Sequence, residues 1–245
     1  ADALLKQSGI IRTNSILELF EVASILNQCP LPKGNKVAIM TNAGGPGIMA
    51  TDALCEYGLE IAQLSEQTTK ILRENLPPAA SVRNPVDMIA SASVEDYKFT
   101  LKTLLADENV DSVMVINLPL MGIDPMDISK AIMEIKAQNP IKPVIGVFMA
   151  KNDFFAEINK IETNIPFYQY PEPAAKAMSR LDAQRRWVER PVGVQPTYKV
   201  DGEKVKKIFK SALGEGRDQL TTLESIDVLE AYGIRTCKYA FASNV

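Results

Sequence analysis

Apolar residues recur along this chain in two alternating rhythms. Short runs near 37–41, 60–63, 86–89, 112–118, 143–149 and 165–168 have the length and composition of buried strands. The segments between them place apolar residues three and four positions apart, which predicts helices over 48–57, 66–75, 94–106, 125–137, 153–161 and 172–190. Strand and helix alternating in this way predict an α/β fold with a mostly parallel sheet.

The expected architecture is a three-layer, doubly wound sheet of flavodoxin-like type spanning 35–190, with an appendage behind it. Ahead of the sheet, 1–34 is expected to hold an amphipathic helical lead-in. Thr13 or Asn14 is its expected N-cap, and Ile16, Leu17, Leu19, Phe20, Ala23 and Leu26 are its apolar face. After Trp187 the helical period stops at Arg190-Pro-Val-Gly-Val-Gln-Pro196, so 191–220 reads as a linker followed by a lysine-rich helix over 203–213. Thr221-Thr-Leu-Glu224 has the form of a capping box, Gly233 ends the helix that it starts, and 234–241 reads as a strand. One helix and one strand close no core of their own, so 221–245 is expected to be the opening of a truncated further domain, disordered or docked on the main body.

Bulk properties narrow the function. The chain has 245 residues, a formal net charge of −3 and no histidine. The charge and the lack of a basic stripe exclude a broad nucleic-acid footprint. The apolar runs fall short of the roughly 18 residues of a membrane span, and the first residues lack a signal-peptide pattern, so a cytoplasmic protein without membrane contact is expected. Cys29, Cys55 and Cys237 are widely separated and suggest neither a disulfide framework nor a zinc site. The missing histidine removes the commonest general base, metal ligand and phosphoryl carrier at once.

The chemistry-bearing segment is Val37-Ala-Ile-Met-Thr-Asn-Ala-Gly-Gly-Pro-Gly47, followed by a helix with Ile48, Met49, Ala53 and Leu54 on one face. A glycine-rich turn between a buried strand and a helix lets backbone approach a ligand and aims unpaired N–H groups at negative charge. The same turn also serves α/β domains that bind nothing there. It is not the GxGxxG fingerprint and lacks the Lys-Ser/Thr ending of a nucleoside-triphosphate loop, which disfavours NAD and direct Walker-type ATP binding. Two further strand-end loops stand out: Arg83-Asn-Pro-Val-Asp87, where ordinary turn chemistry is the simpler reading, and Asn117-Leu-Pro-Leu-Met-Gly-Ile123.

Thr41-Asn-Ala-Gly-Gly-Pro-Gly47, Leu76-Pro-Pro-Ala-Ala-Ser-Val-Arg-Asn-Pro-Val-Asp87 and the order of elements between them resemble the ADP-forming acyl-CoA synthetases, a family that includes ADP-forming acetate-CoA ligase and is related to succinyl-CoA synthetase. The resemblance covers nearly the whole chain and implies the second flavodoxin-like ligase domain, with 221–245 similar to the first elements of an ATP-grasp fold. In that family acyl-CoA and phosphate give an acyl phosphate, and the phosphoryl group passes to a histidine and then to ADP. The resemblance implies partners in the same enzyme, namely histidine-bearing CoA-binding domains and an ATP-grasp module. The full-length enzyme would use ATP/ADP, Mg and CoA. The fragment alone would bind no cofactor or metal, carry no catalytic residue and be inactive. Asn42, Gly44, Gly45 and Gly47 are implied donors to phosphate or an acyl carboxylate. Met121 and Gly122 form a second implied site, although relatives carry paired glycines where this chain has Leu120-Met121-Gly122. Asn84 and Asp87 are implied to shape an acyl or CoA pocket. Two other roles are open to the same domain: a regulatory copy within a protein lysine acetyltransferase, and a subunit-contact domain whose exposed apolar interface drives homodimerisation.

Overall fold

A computed structural model describes residues 2–119, 122–191, 193–194 and 196–238. They form two units, 1–190 and 191–245.

The first unit carries six parallel strands: β1 (Lys36–Thr41), β2 (Glu60–Ile61), β3 (Val86–Asp87), β4 (Ser112–Asn117), β5 (Val144–Phe148) and β6 (Phe167–Tyr168). Its helices are α1 (Asp2–Gln7), α2 (Ile16–Gln28), α3 (Gly44–Glu56), α4 (Glu66–Asn75), α5 (Val94–Ala106), α6 (Pro125–Gln138), α7 (Asn152–Ile158) and α8 (Pro171–Val188). The sheet runs β2-β1-β4-β5-β6, with β3 also paired to β1. Setting the short β3 aside, this is the flavodoxin-like order.

Strand alternation divides the core in two. Val37 and Ile39 of β1, Met114 and Ile116 of β4, and Ile145 and Val147 of β5 face α2, α3 and α8. Ala38, Met40, Val113, Val115, Val144 and Phe148 face α4, α5, α6 and α7. All five residues from Val37 to Thr41 are buried, as expected of a central parallel strand covered on both faces.

β2 and β3 share one flank of β1, β2 along its start and β3 along its end. The Asn84 side chain fills the interval between them. Its amide nitrogen donates to the carbonyls of Val37 and Ala62, both at 2.9 Å, and its oxygen accepts from the Ile39 N–H at 2.8 Å. One side chain thus supplies the bonds a continuous strand would have made, and both strands are shorter than the sequence suggests. β3 ends early because Ile89 turns into the left-handed region at φ 64°, where its N–H bonds to the Asp87 carboxylate at 2.9 Å. The peptide bond between Asn84 and Pro85 is cis.

Two helices differ from expectation in ways that matter. α3 starts at Gly44, so the glycine run is its first turn and not a loop before it, and Ile48 and Met49 point outward while Gly47, Ala50, Ala53 and Leu54 face the sheet. α2 is capped by Ser15, whose hydroxyl accepts from the Glu18 N–H, rather than by Thr13 or Asn14. It buries Glu18, Val22 and Ile25 and leaves Ile16, Leu17, Leu19 and Phe20 exposed. The apolar stripe exists, but it faces away from the sheet. Glu18 sets this rotation: only 4% exposed, it pairs with Lys176 at 2.9 Å and Arg180 at 3.4 Å on α8 and accepts from the Asn14 N–H.

The second unit contains α9 (Gly202–Gly214) and α10 (Thr222–Ala231), which pack on each other. Asp201 caps α9, and Thr221 and Glu224 form the expected capping box on α10, with Arg217 held on the Glu224 carboxylate at 2.8 Å. Residues 234–238 form no strand, and the remainder of the expected strand lies outside the described residues. Among the described residues no helix is long and apolar enough to cross a membrane.

Candidate functional site

The connections leaving β1 and β4 run to opposite faces of the sheet, since α3 packs in one half of the core and α6 in the other. Between two such neighbouring strands a crevice opens at their C-terminal ends, the usual ligand position in an open α/β sheet. Asn42 and Leu118 meet there. The Asn42 amide donates to the Leu118 carbonyl, and its oxygen accepts from the Leu118 N–H, both at 2.9 Å. A buried asparagine therefore clasps the loop after β1 to the loop after β4.

Thr41 closes the turn beside it. Its hydroxyl accepts from the Ala43 N–H at 3.0 Å and donates to the Ala43 carbonyl at 2.9 Å. Ala43 holds the N-cap position and has no side chain able to cap. Gly44 and Gly45 consequently present N–H groups without a partner among the described residues, and Pro46 has none to present. α7 and α8 likewise lack a side-chain cap, whereas α2, α4, α5, α6, α9 and α10 start on a Ser, Thr or Asp that bonds back to the first turn. An uncapped helix start leaves its positive dipole end available to an anion.

The glycines there are not equivalent. A Cβ on Gly47 would lie 3.2 Å from the Thr41 methyl and 3.6 Å from Pro85, so close packing under the loop calls for glycine. A Cβ on Gly45 would meet nothing within 4 Å. Nothing in this chain's own packing asks for glycine at position 45, where it costs the helix up to about 1 kcal/mol relative to alanine. A Cβ on Gly44 would sit 3.1 Å from a carboxylate oxygen of Asp87. Asp87 therefore borders the same helix start, while its other oxygen is committed to Ile89.

The structure thus brings Asn42, Gly44, Gly45, Gly47 and Asp87 to one rim. Asn84 lies further along β1, its amide engaged with three backbone groups. Gly122, at φ 109°, occupies a conformation suited to glycine in the loop from β4 to α6. Met121 lies outside the described residues.

At this end of β4, Tyr97 escaped the sequence reading, and Asn117, which opens one of the loops singled out there, was given no role. Tyr97 of α5, fully buried, donates to the Ile116 carbonyl at 3.1 Å and accepts from the Asn117 amide at 3.0 Å. Burial drives its phenol pKa far up. The oxygen of Asn117 is buried without a partner. Its sequence signal is a lone amide after the apolar run from Val113 to Ile116.

A hollow of about 690 Å³ lies elsewhere, between α1, the 9–14 segment and α8, and contains none of the rim residues. Its arginines are each ion-paired, Arg12 with Asp2, Arg180 with a Glu18 shared with Lys176, and Arg186 with an Asp182 shared with Arg185. Among the described residues no group of three or more His, Cys, Asp or Glu is placed to hold a metal ion.

A doubly wound parallel sheet with a glycine-started helix at its switch point defines the class of α/β domains that use their C-terminal edge. Within that class the chain belongs to the Ligase-CoA domain family, which matches residues 37–194. It is 45% identical over 191 residues to the alpha subunit of an ADP-forming acetate–CoA ligase II of Pyrococcus furiosus, covering 76% of this chain and 41% of that subunit. It is 32% identical over 244 residues to the ADP-forming 4-hydroxybutyrate–CoA ligase of Nitrosopumilus maritimus, covering 99% of this chain and 35% of that protein. In structure it is similar to an acetyl-coenzyme A synthetase of Ca. Korarchaeum cryptofilum in complex with phosphate and ADP, with a TM-score of 0.72, 27% identity, and 79% of this chain and 43% of that one covered. The chain therefore spans less than half the length of these relatives.

Proposed function

We propose that this chain is the second flavodoxin-like ligase domain of an ADP-forming acyl-CoA synthetase, an enzyme interconverting acyl-CoA, ADP and phosphate with a carboxylic acid, CoA and ATP. The phosphoryl carrier is a histidine on another domain, because this chain has none. CoA, the nucleotide and its Mg are bound by the neighbouring CoA-binding and ATP-grasp domains, with 221–245 as the first elements of the latter.

The contribution of this domain is electrostatic. The free N–H groups of Gly44 and Gly45 donate to the oxygens of the transferring phosphoryl group, where preorganised donors lower the barrier without reorganising. Asn42 holds the rim by its clasp on Leu118, so the donors do not shift as charge develops. Gly122, in the loop from β4 to α6, and Met121 are the second proposed phosphate-binding pair. Asp87, on the other side of the helix start, borders the acyl end, and Asn84 supports it from below through the sheet. A helix N-terminus favours an anion by about 0.3–1 kcal/mol when exposed and up to about 2 when partly buried, so this domain binds phosphate weakly until a second body closes on it.

The observation that carries this reading is Gly45, a glycine on an uncapped helix start that the chain's own packing does not require. Gly45→Val in the complete enzyme is expected to cut phosphohistidine formation from acyl-CoA and phosphate at least tenfold while the thermal unfolding midpoint holds. Unchanged phosphorylation would reduce the glycine run to a structural turn.

A further inference from the structure

Packing does not explain the hydroxyl of Tyr97. The ring belongs to the half of the core that holds Met40, Val115 and Phe148, and a phenylalanine would fill the same volume with no polar atom to satisfy. Taking a hydroxyl out of water costs free energy that its hydrogen bonds have to offset. Those bonds reach one place, the end of β4. The hydroxyl donates to the Ile116 carbonyl and accepts from the Asn117 amide, whose own oxygen is buried without a partner. Among the described residues the Asn117 side chain is therefore held by the phenol alone.

That place adjoins the rim. Ile116 pairs with Thr41 at the last rung between β1 and β4. The next residue on each side is an asparagine, Asn42 after β1 and Asn117 at the end of β4. Leu118 follows, and both of its backbone groups are taken by Asn42. In the other direction Asn42 leads straight into Ala43 and the uncapped start of α3. The position of Gly44 and Gly45 is thus referred through Asn42 to Leu118, and that of Leu118 to a strand end on which the phenol is fastened. The phenol springs from a fixed turn, because Ser93 and Asp96 close a capping box just ahead of it.

We infer that Tyr97 is a positioning residue for the phosphoryl site: with Asn117 it sets the end of β4, on which the Asn42 clasp aims the Gly44 and Gly45 donors. The inference rests on the phosphoryl-transfer reading of that rim. Tyr97 touches no reacting atom and acts only through Leu118 and Asn42. Such an indirect contact can weigh on the rate, since a misplacement of about 1 Å in a preorganised site costs on the order of a hundredfold.

One pair of substitutions separates positioning from stability. Tyr97→Phe alone strands the Asn117 amide, but Tyr97→Phe with Asn117→Leu removes both polar partners and keeps the volume, an exchange close to neutral for folding. In the complete gene product this double variant is expected to form phosphohistidine from acyl-CoA and phosphate at least about fivefold more slowly at saturating phosphate, with the half-saturating phosphate concentration unchanged. In the 245-residue chain it is expected to keep the urea midpoint, while hydrogen exchange at the Leu118 N–H accelerates at least about tenfold and exchange in the middle of β4 does not. In an Asn42→Ala background the double substitution is expected to slow phosphorylation no further. Asn117→Leu alone, which leaves the phenol its bond to Ile116, is a second variant on which the same rate and exchange are read. An unaltered rate or an unaltered Leu118 exchange in the double variant overturns the inference, and so does equal slowing with and without Asn42. Gly45→Val, measured alongside, keeps the two levels apart. Slowing by Gly45→Val beside an unaffected Tyr97 pair removes the positioning role alone, whereas unchanged phosphorylation in Gly45→Val overturns the reading of the rim itself.

Discussion

Asn84 shows how much one side chain can carry in a parallel sheet. In the sequence it sits beside a proline in a segment that reads as a turn, and the family resemblance adds a pocket role. In the structure its amide stands in for a missing piece of strand, satisfying three backbone groups at the meeting of β1, β2 and β3. Removing one partner of a buried backbone group costs about 1–3 kcal/mol, so Asn84→Ala is expected to lower unfolding stability by about 3 kcal/mol in urea. A loss below about 1 kcal/mol would mean that water replaces the amide and that the sheet does not depend on it. At this scale sequence reading finds residue types but not their partners. The Asn42 clasp joins positions 76 apart and the Tyr97–Asn117 bond positions 20 apart, and no local pattern encodes either. The glycine run was legible because its signal is contiguous. That Gly45 lacks a packing reason while Gly47 has one needed the coordinates.

At the scale of elements, the helical period located nearly every helix, misplaced half of the expected face of α3 and reversed that of α2. Period alone says that α2 has an apolar stripe, and the assumption that such stripes face a core supplies the direction. A glutamate buried on the same face as Val22 and Ile25 reverses it. Burial alone would raise the Glu18 carboxyl, but the Asn14 N–H, Lys176 and Arg180 outweigh it and hold its pKa below the ordinary 4.5. Because the folded value lies below the unfolded one, the stabilisation from this ion pair is complete above about pH 4.5 and is lost as pH falls through the folded value. Glu18→Gln is therefore expected to be less stable than the unaltered chain at about pH 7, with the gap narrowing below about pH 4.5. Urea midpoints at about pH 7 and about pH 3.5 check this, and a gap that ignores pH would assign Glu18 a packing role only. The short β2 was overestimated for a related reason: an apolar run marks burial, and here part of that buried run pairs with an amide instead of a strand, whereas β3 stops where Ile89 turns.

For the whole molecule, the division between Arg190 and Pro191 separates a unit with a two-sided core from a small helical pair. Residues 193–194 and 196–201 have no regular secondary structure and are largely exposed, which is the kind of segment proteases enter first. Limited trypsin digestion is expected to cut after Lys199, since Pro191 protects the bond after Arg190, and leave a folded fragment containing β1 to α8, identified by mass and circular dichroism. First cleavage inside 36–188 would show that the sheet domain does not stand alone.

The ordering of strands has one more consequence. Both margins of the sheet end in strands of two residues, β2 and β3 on one side and β6 on the other. A margin that short offers almost no ladder to an incoming chain, and the amide of Asn84 already occupies part of what one margin could have offered. Strand addition, domain swapping through the sheet and cross-β growth from the folded state are thereby closed off. What remains for assembly is the outer faces of the helices and the loop rim at the C-terminal ends of the strands.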